Sequence, residues 1–265
     1  MTILLKIIGT ILTIFGISSY KYLPGSYTIR FLWVVLHALY LKPINKPIKN
    51  NKNIGENISP FSTFKRYNKC CLLECDFFGF HKNNVTYFTE LDLCRTECGL
   101  FALHYYFKNS ILKNEKFAYV ALANVSNNFL KEIKPFQNYE MNSKIIGWGD
   151  KWVWMITIFT IDEKIKIINN DTNNNNNTDN KIIPENIPPM YLNLKDGDKI
   201  GKRVSCISLA KLVFKQGRKT LDPWNIVQLS GFEDNEINLK ARKNEIGVSE
   251  NSNNPLELLK IFEQT

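Results

Sequence analysis

The stretch that decides the reading is "CDFFGFHKNNVTYFTELDLCRTECGLF", from Cys75 to Phe101. Phenylalanines and a glycine lead into His81-Lys82-Asn83-Asn84, and a helical rhythm then begins. Asp76, His81, Asn83, Asn84, Tyr87, Glu90, Asp92 and Arg95 all fall inside it, woven into an apolar pattern. Asn83 or Asn84 carries the side-chain oxygen that caps a free first-turn N–H, so a helix is expected from Val85. Phe88, Leu91, Cys98, Ala102 and Tyr105 recur at helical spacing, which carries the expected helix to about Phe107. At about 100° per residue, Glu90 and Asp92 fall on opposite flanks of that stripe and cannot both face one pocket.

Working outward, "NKCCLLECD" reads as a short strand ending at Asp76. Three strand-like runs follow the helix: "FAYVALANVS" from Phe117, "QNYEMNSKIIGWGD" to Asp150, and "KWVWMITIFTID" to Asp162. Gly147-Trp148-Gly149-Asp150 marks a hairpin turn between the last two. "RVSCISLAKLVFKQG", from Arg203, is ambiguous by period, but its Val, Ile, Leu and Phe content suits a long strand returning to the sheet. "DTNNNNNTDN" is low-complexity, and a disordered insertion is expected over about 168–182. Strand, long helix, then antiparallel strands put the helix on one face of a sheet, an α+β arrangement. The folded domain is expected over 58–232, with a polar tail over 233–265.

The formal charge is +9 in 265 residues. Seven basic side chains and one acid lie between Met1 and Glu56, so this segment holds +6 of the excess beside the most apolar part of the chain. Basic residues flanking an apolar run mark the cytoplasmic side of a membrane. No groove-reading or base-stacking motif accompanies the charge, which excludes nucleic-acid binding as the reading. Residues 1–22 are expected to be a transmembrane anchor. The rival is a cleaved signal peptide, for which Gly16-Ile17-Ser18 is a poor cleavage site. Residues 23–57 are expected to hold an interfacial helix, "FLWVVLHALYL", and a basic linker. The expected location is a membrane such as the endoplasmic reticulum, with membrane lipid as a partner and the domain facing the cytosol. Six cysteines without paired C-x-x-C spacing, and three histidines, suggest no metal site.

The pattern H-x-N-N-x-x-Y-F-x-E-L-D-x-x-R, from His81 to Arg95, resembles the motif of the 4-hydroxybenzoyl-CoA thioesterase-like superfamily. The likeness is to its eukaryotic membrane-anchored branch, that of thioesterase superfamily member six. "KIIGWGDKWVWM" from Lys144 and "LVFKQGRKTLDP" from Leu212 agree with that branch, and the resemblance spans roughly 60–224. It implies a hotdog fold, in which an antiparallel sheet wraps a long central helix. It also implies a homodimer without cofactor, hydrolysing acyl-CoA or a related acyl thioester between the helix tip of one protomer and residues of the other. The catalytic residues so implied are Asp92, Asp76, His81 and Asn84. Gly79, Asn83, Val85, Tyr87, Phe88 and Arg95 are the implied substrate-binding residues. The family's acid-x-x-Arg falls on Asp92 and Arg95, while Asp76 matches its loop acid.

Each piece also has a plainer reading. Asn83 and Asn84 serve as helix caps, Asp92 and Arg95 form a helical ion pair, and Tyr87 packs. Lys215, Arg218 and Lys219 either meet coenzyme A phosphates or line a solvated strand end. At the level of the whole chain the rivals are an acyl-CoA- or lipid-binding protein without catalysis, and a structural dimer.

Overall fold

The computed structural model describes residues 2–41, 59–77, 80–113, 116, 118–164, 190–193 and 200–265. The expected linker over 42–57, the Asn-rich insertion and Gly79 lie outside the described residues. Two N-terminal helices, α1 (Thr2–Ser18) and α2 (Ser26–Leu36), precede strand β1 (Phe64–Lys69). The central helix α3 (Asn84–Ala102) runs into α4 (His104–Leu112). Then come β2 (Tyr119–Phe129), β3 (Asn138–Trp148), β4 (Val153–Lys164), the short β5 (Tyr191–Leu192), β6 (Ile200–Gln216) and β7 (Lys219–Leu221). Helices α5 (Pro223–Leu229), α6 (Asn235–Glu250) and α7 (Pro255–Gln264) close the chain.

The strands form one antiparallel sheet in the order β1-β3-β4-β6-β2, with β5 and β7 also paired to β6. Successive side chains of a strand point to opposite faces. Met141, Ile145, Met155, Phe159, Cys206 and Ala210 therefore meet the α3 side, where Leu91, Cys94 and Cys98 wait for them. Ile146, Trp154, Ile156, Ile158, Ile207 and Leu209 meet Val248, Leu258 and Phe262 of α6 and α7 on the other side. Helices thus cover both faces, which is why nearly every residue of β3 is buried. The polar positions on these strands pair internally: Ser143 and Thr157 hydroxyls lie 2.8 Å apart. A long helix against one face of this antiparallel sheet is the hotdog arrangement expected from the sequence.

Several expectations need correction. The segment before Asp76 is not a strand: β1 ends at Lys69, and Leu72–Glu74 forms a 3-10 turn. The single rod expected to Phe107 bends at Leu103, whose backbone leaves helical geometry at φ −113° and ψ 27°. The bend lets Leu103, Tyr106 and Phe107 all enter the core. Phe88 does not belong to the buried stripe and is 41% exposed, whereas Tyr87 is buried. The polar tail forms α6 and α7 on the sheet, and α6 lies so close that a Cβ on Gly147 would collide with the Ala241 carbonyl.

Helix α1 has 17 residues. At about 1.5 Å per residue it is about 26 Å long, against roughly 30 Å for a bilayer's hydrocarbon core. The transmembrane anchor expected over 1–22 is therefore unsupported: among the described residues no helix is long and apolar enough to cross a membrane. The apolar run placed at the membrane boundary is α2 with a π-helical turn, His37–Leu41, and α2 packs along α3.

Candidate functional site at the tip of the central helix

The site is built on the loop that carries the chain from β1 into α3. Its anchor is Glu74, fully buried, whose carboxylate accepts from the Cys71 N–H at 2.7 Å, from Lys21 Nζ at 3.2 Å and from Lys82 Nζ. Its own carbonyl accepts the Asn83 N–H at 2.7 Å. One residue therefore ties both ends of the loop, and Lys21 ties the N-terminal segment to it. Burial alone would raise the Glu74 pKa, but Lys82 and Lys21 outweigh it and hold the carboxyl below its ordinary range. Such a cluster is costly to desolvate and costlier to break, since a lost partner leaves a buried charge uncompensated.

On that base stand the predicted residues. Asp76 donates its N–H to the His81 carbonyl at 2.9 Å, and Phe80 between them adopts the left-handed conformation, φ 46°. This tight reversal brings the side chains together: His81 Nε2 lies 3.7 Å from Asp76 Oδ2, and Asn83 Nδ2 donates to Asp76 Oδ1. Both remain partly open to solvent, 40% for the Asp76 side chain and 31% for His81. Asn83 caps α3, its Oδ1 accepting the Val85 N–H at 2.8 Å. Asn84 and Val85 are exposed at the tip, where the first-turn amides carry a positive partial charge. A cavity of about 210 Å³ opens beside them, lined by His81, Asn84, Tyr87, Phe129 and Leu130 among others. Tyr87 is buried and packs on Phe129 and Phe159 at 5.1 and 4.9 Å. Burial pushes its hydroxyl pKa up and outweighs the opposing influence of the Ser205 side chain, so it stays protonated.

The remaining acids face elsewhere. Glu90 is fully buried and takes Arg30 Nη2 on both oxygens, at 2.8 and 2.7 Å, together with Asn68 Nδ2 at 2.8 Å. Asp92 accepts the Tyr27 hydroxyl at 2.6 Å and Arg95 Nη2 at 3.3 Å, the helical ion pair of the plainer reading. It lies eight residues beyond Asn84, about 12 Å along the helix. The sequence-predicted set therefore divides: Asp76, His81, Asn83, Asn84, Val85 and Tyr87 gather at the tip, while Asp92 and Arg95 stand apart. Sequence reading missed Glu74, Lys82 and Lys21. A buried Glu inside "CLLEC" was the one local signal, and its partners come from tertiary contact.

No protein-family profile matches the chain. Solved structures align with it at low similarity. The YbaW probable thioesterase from Escherichia coli covers 63% of this chain and 96% of its own, with a TM-score of 0.41 and 12% identity. A mutant 4-hydroxybenzoyl CoA thioesterase complexed with 4-hydroxybenzoyl CoA covers 63% and 98%, with a TM-score of 0.40 and 9% identity. The fold assignment rests on the strand order and helix placement themselves. Among curated proteins, the probable thioesterase atnL of Emericella nidulans is 28% identical over 175 residues, 61% of this chain and 51% of its own length. The probable thioesterase YBR096W of Saccharomyces cerevisiae is 32% identical over 253 residues, 92% of this chain and 90% of that one. With so much of both chains aligned, this chain belongs to the thioesterase family that includes YBR096W.

Proposed function

We propose that the chain hydrolyses acyl thioesters, with acyl-CoA as the substrate class, at the tip of α3. The observation that carries this reading is the disposition of the acids: Asp76 is open to solvent beside His81 and the helix tip, while Glu90 and Asp92 are engaged by α2. The thioester carbonyl oxygen is received by the tip amides near Asn84, which stabilise the oxyanion as it forms. Asp76 takes a proton from water as the new C–O bond closes. The C–S bond then breaks, and the proton taken up by Asp76 passes by way of His81, 3.7 Å away, to the departing thiolate, which leaves Asp76 ionised again. Asn83 fixes both the helix cap and the base.

Two further features belong to the proposal. Among the described residues strand β2 pairs only with β6, and its outer edge carries exposed Tyr119, Val120, Leu122 and Phe129. An unpaired edge of this length suits pairing with a second copy. Helix α1 presents a broad apolar face, with Ile3, Leu4, Ile11, Ile14 and Ile17 exposed, and suits partition into a lipid surface.

Release of free thiol from acyl-CoA by the full chain tests the reading. Asp76→Asn is expected to lower kcat/KM by about 10²–10⁴-fold, the usual worth of a general base. Absence of turnover by the wild type across acyl-chain lengths, with acyl-CoA still bound, would replace hydrolysis by acyl carriage.

A further inference from the structure

A second cavity, of about 390 Å³, lies away from the tip between α2, α3, α4 and the β2–β6 part of the sheet. Its walls are apolar, with Phe31, Val35, Leu103, Val153 and Leu212 representative. Asp92 and Arg95 are the charged side chains among its described lining residues. They are not equivalent. The Asp92 side chain is 47% exposed and leans to Tyr27 of α2, whereas that of Arg95 is 7% exposed. The long 3.3 Å contact from Nη2 to Asp92 uses one of the guanidinium's donors, while Nη1 is buried and has no partner among the described residues. Burial lowers the Arg95 pKa, and Asp92 only partly offsets it. A buried cation with an unused donor in an apolar chamber is an unsatisfied group.

We propose that this cavity binds an aliphatic monocarboxylate, with the hydrocarbon chain in the apolar volume and the carboxylate on Nη1 of Arg95. A guanidinium fork matches a carboxylate in both charge and geometry, and it can serve two carboxylates through different nitrogens. The volume falls within the roughly 300–1,000 Å³ of small-molecule sites. Sugars and nucleotides would leave many polar groups against apolar walls. Gly99 marks the route of the chain: it lines the cavity, and an added Cβ would meet nothing within 4 Å. The inference does not rest on the hydrolytic reading, although fatty carboxylates are also what thioester hydrolysis releases.

The test is calorimetric titration of the full chain with dodecanoate and with dodecan-1-ol. Dodecanoate is expected to bind, and the alcohol to bind at least about tenfold more weakly for want of the charged hydrogen bond. Arg95→Met is expected to weaken dodecanoate binding by at least about tenfold. Gly99→Phe fills the cavity from a helical position while leaving Asp92 and Arg95 themselves unchanged, and is expected to abolish binding. It keeps the test decisive should Arg95→Met disturb folding. Asp76→Asn is expected to bind dodecanoate as the wild type does. Equal affinity for acid and alcohol, binding unaffected by Gly99→Phe, binding lost in Asp76→Asn, or no binding at all would each overturn the proposal.

Discussion

At the tip of α3, Asp76 and His81 stand partly in solvent, joined to each other and to the cap residue Asn83. A turn and a half along the same helix, Glu90 has no exposure and is held by Arg30, Asn68 and Lys21. The difference is made by the N-terminal segment. Lys21, Tyr22, Tyr27 and Arg30 reach across to Glu74, Thr86, Asp92 and Glu90 in turn. That segment closes the flank of α3 and leaves its end open. Carboxylates of similar intrinsic chemistry are thus placed differently: Glu74, Glu90 and Asp92 are met by α2 and its leading turn, while Asp76 lies beyond their reach and stays partly open to solvent.

The contrast can be broken at several points. Glu74→Ala strands Lys82 and Lys21 in the interior and is expected to destabilise the chain by about 3–5 kcal/mol, measured by urea unfolding. The same residue gives stability a pH signature. Its folded pKa lies below the ordinary value of 4.5, so the stabilisation is present above that pH and is lost as pH falls towards the folded value. An acid titration of the wild type against Glu74→Ala should converge as that stabilisation disappears. Glu90→Gln keeps the shape of the partner to Arg30 while removing its charge, and should cost about 1.5–3 kcal/mol in the same assay. Tyr27→Phe removes only the hydroxyl on half-exposed Asp92. A loss of about 0.5–1.5 kcal/mol is expected, the smallest effect of the series. Should Tyr27→Phe prove more damaging than Glu90→Gln, the ranking of sealed over open acids fails.

How much of this was legible in the sequence depends on the range of the interactions involved. Asn83 as a cap could be read because capping is local, and the structure uses its oxygen in that way. The opposed placement of Glu90 and Asp92 followed from helical spacing alone. The long β6 was ambiguous by period because alternate residues are buried on both faces, the condition that α6 and α7 create. Phe88 was misplaced in the stripe because Tyr87, one position earlier, takes the inward direction toward Phe159. The bend at Leu103 carried no glycine or proline to announce it. Hardest to foresee was the buried network, since Lys21 and Glu74 are 53 residues apart and Arg30 and Glu90 are 60 apart. Nothing beside Lys21 or Arg30 in the sequence announces the buried acids that they meet.

The most direct test sets the loop acid against the helix acid. Purified full chain, Asp76→Asn and Asp92→Asn are compared for kcat/KM on one acyl-CoA, with thermal melts confirming that all three are folded. A loss of about 10²–10⁴-fold is expected for Asp76→Asn and of less than about tenfold for Asp92→Asn, whose partners are Tyr27 and Arg95. The reverse order, with Asp92→Asn inactive and Asp76→Asn near wild type, would move the chemistry off the tip of α3 and contradict the account.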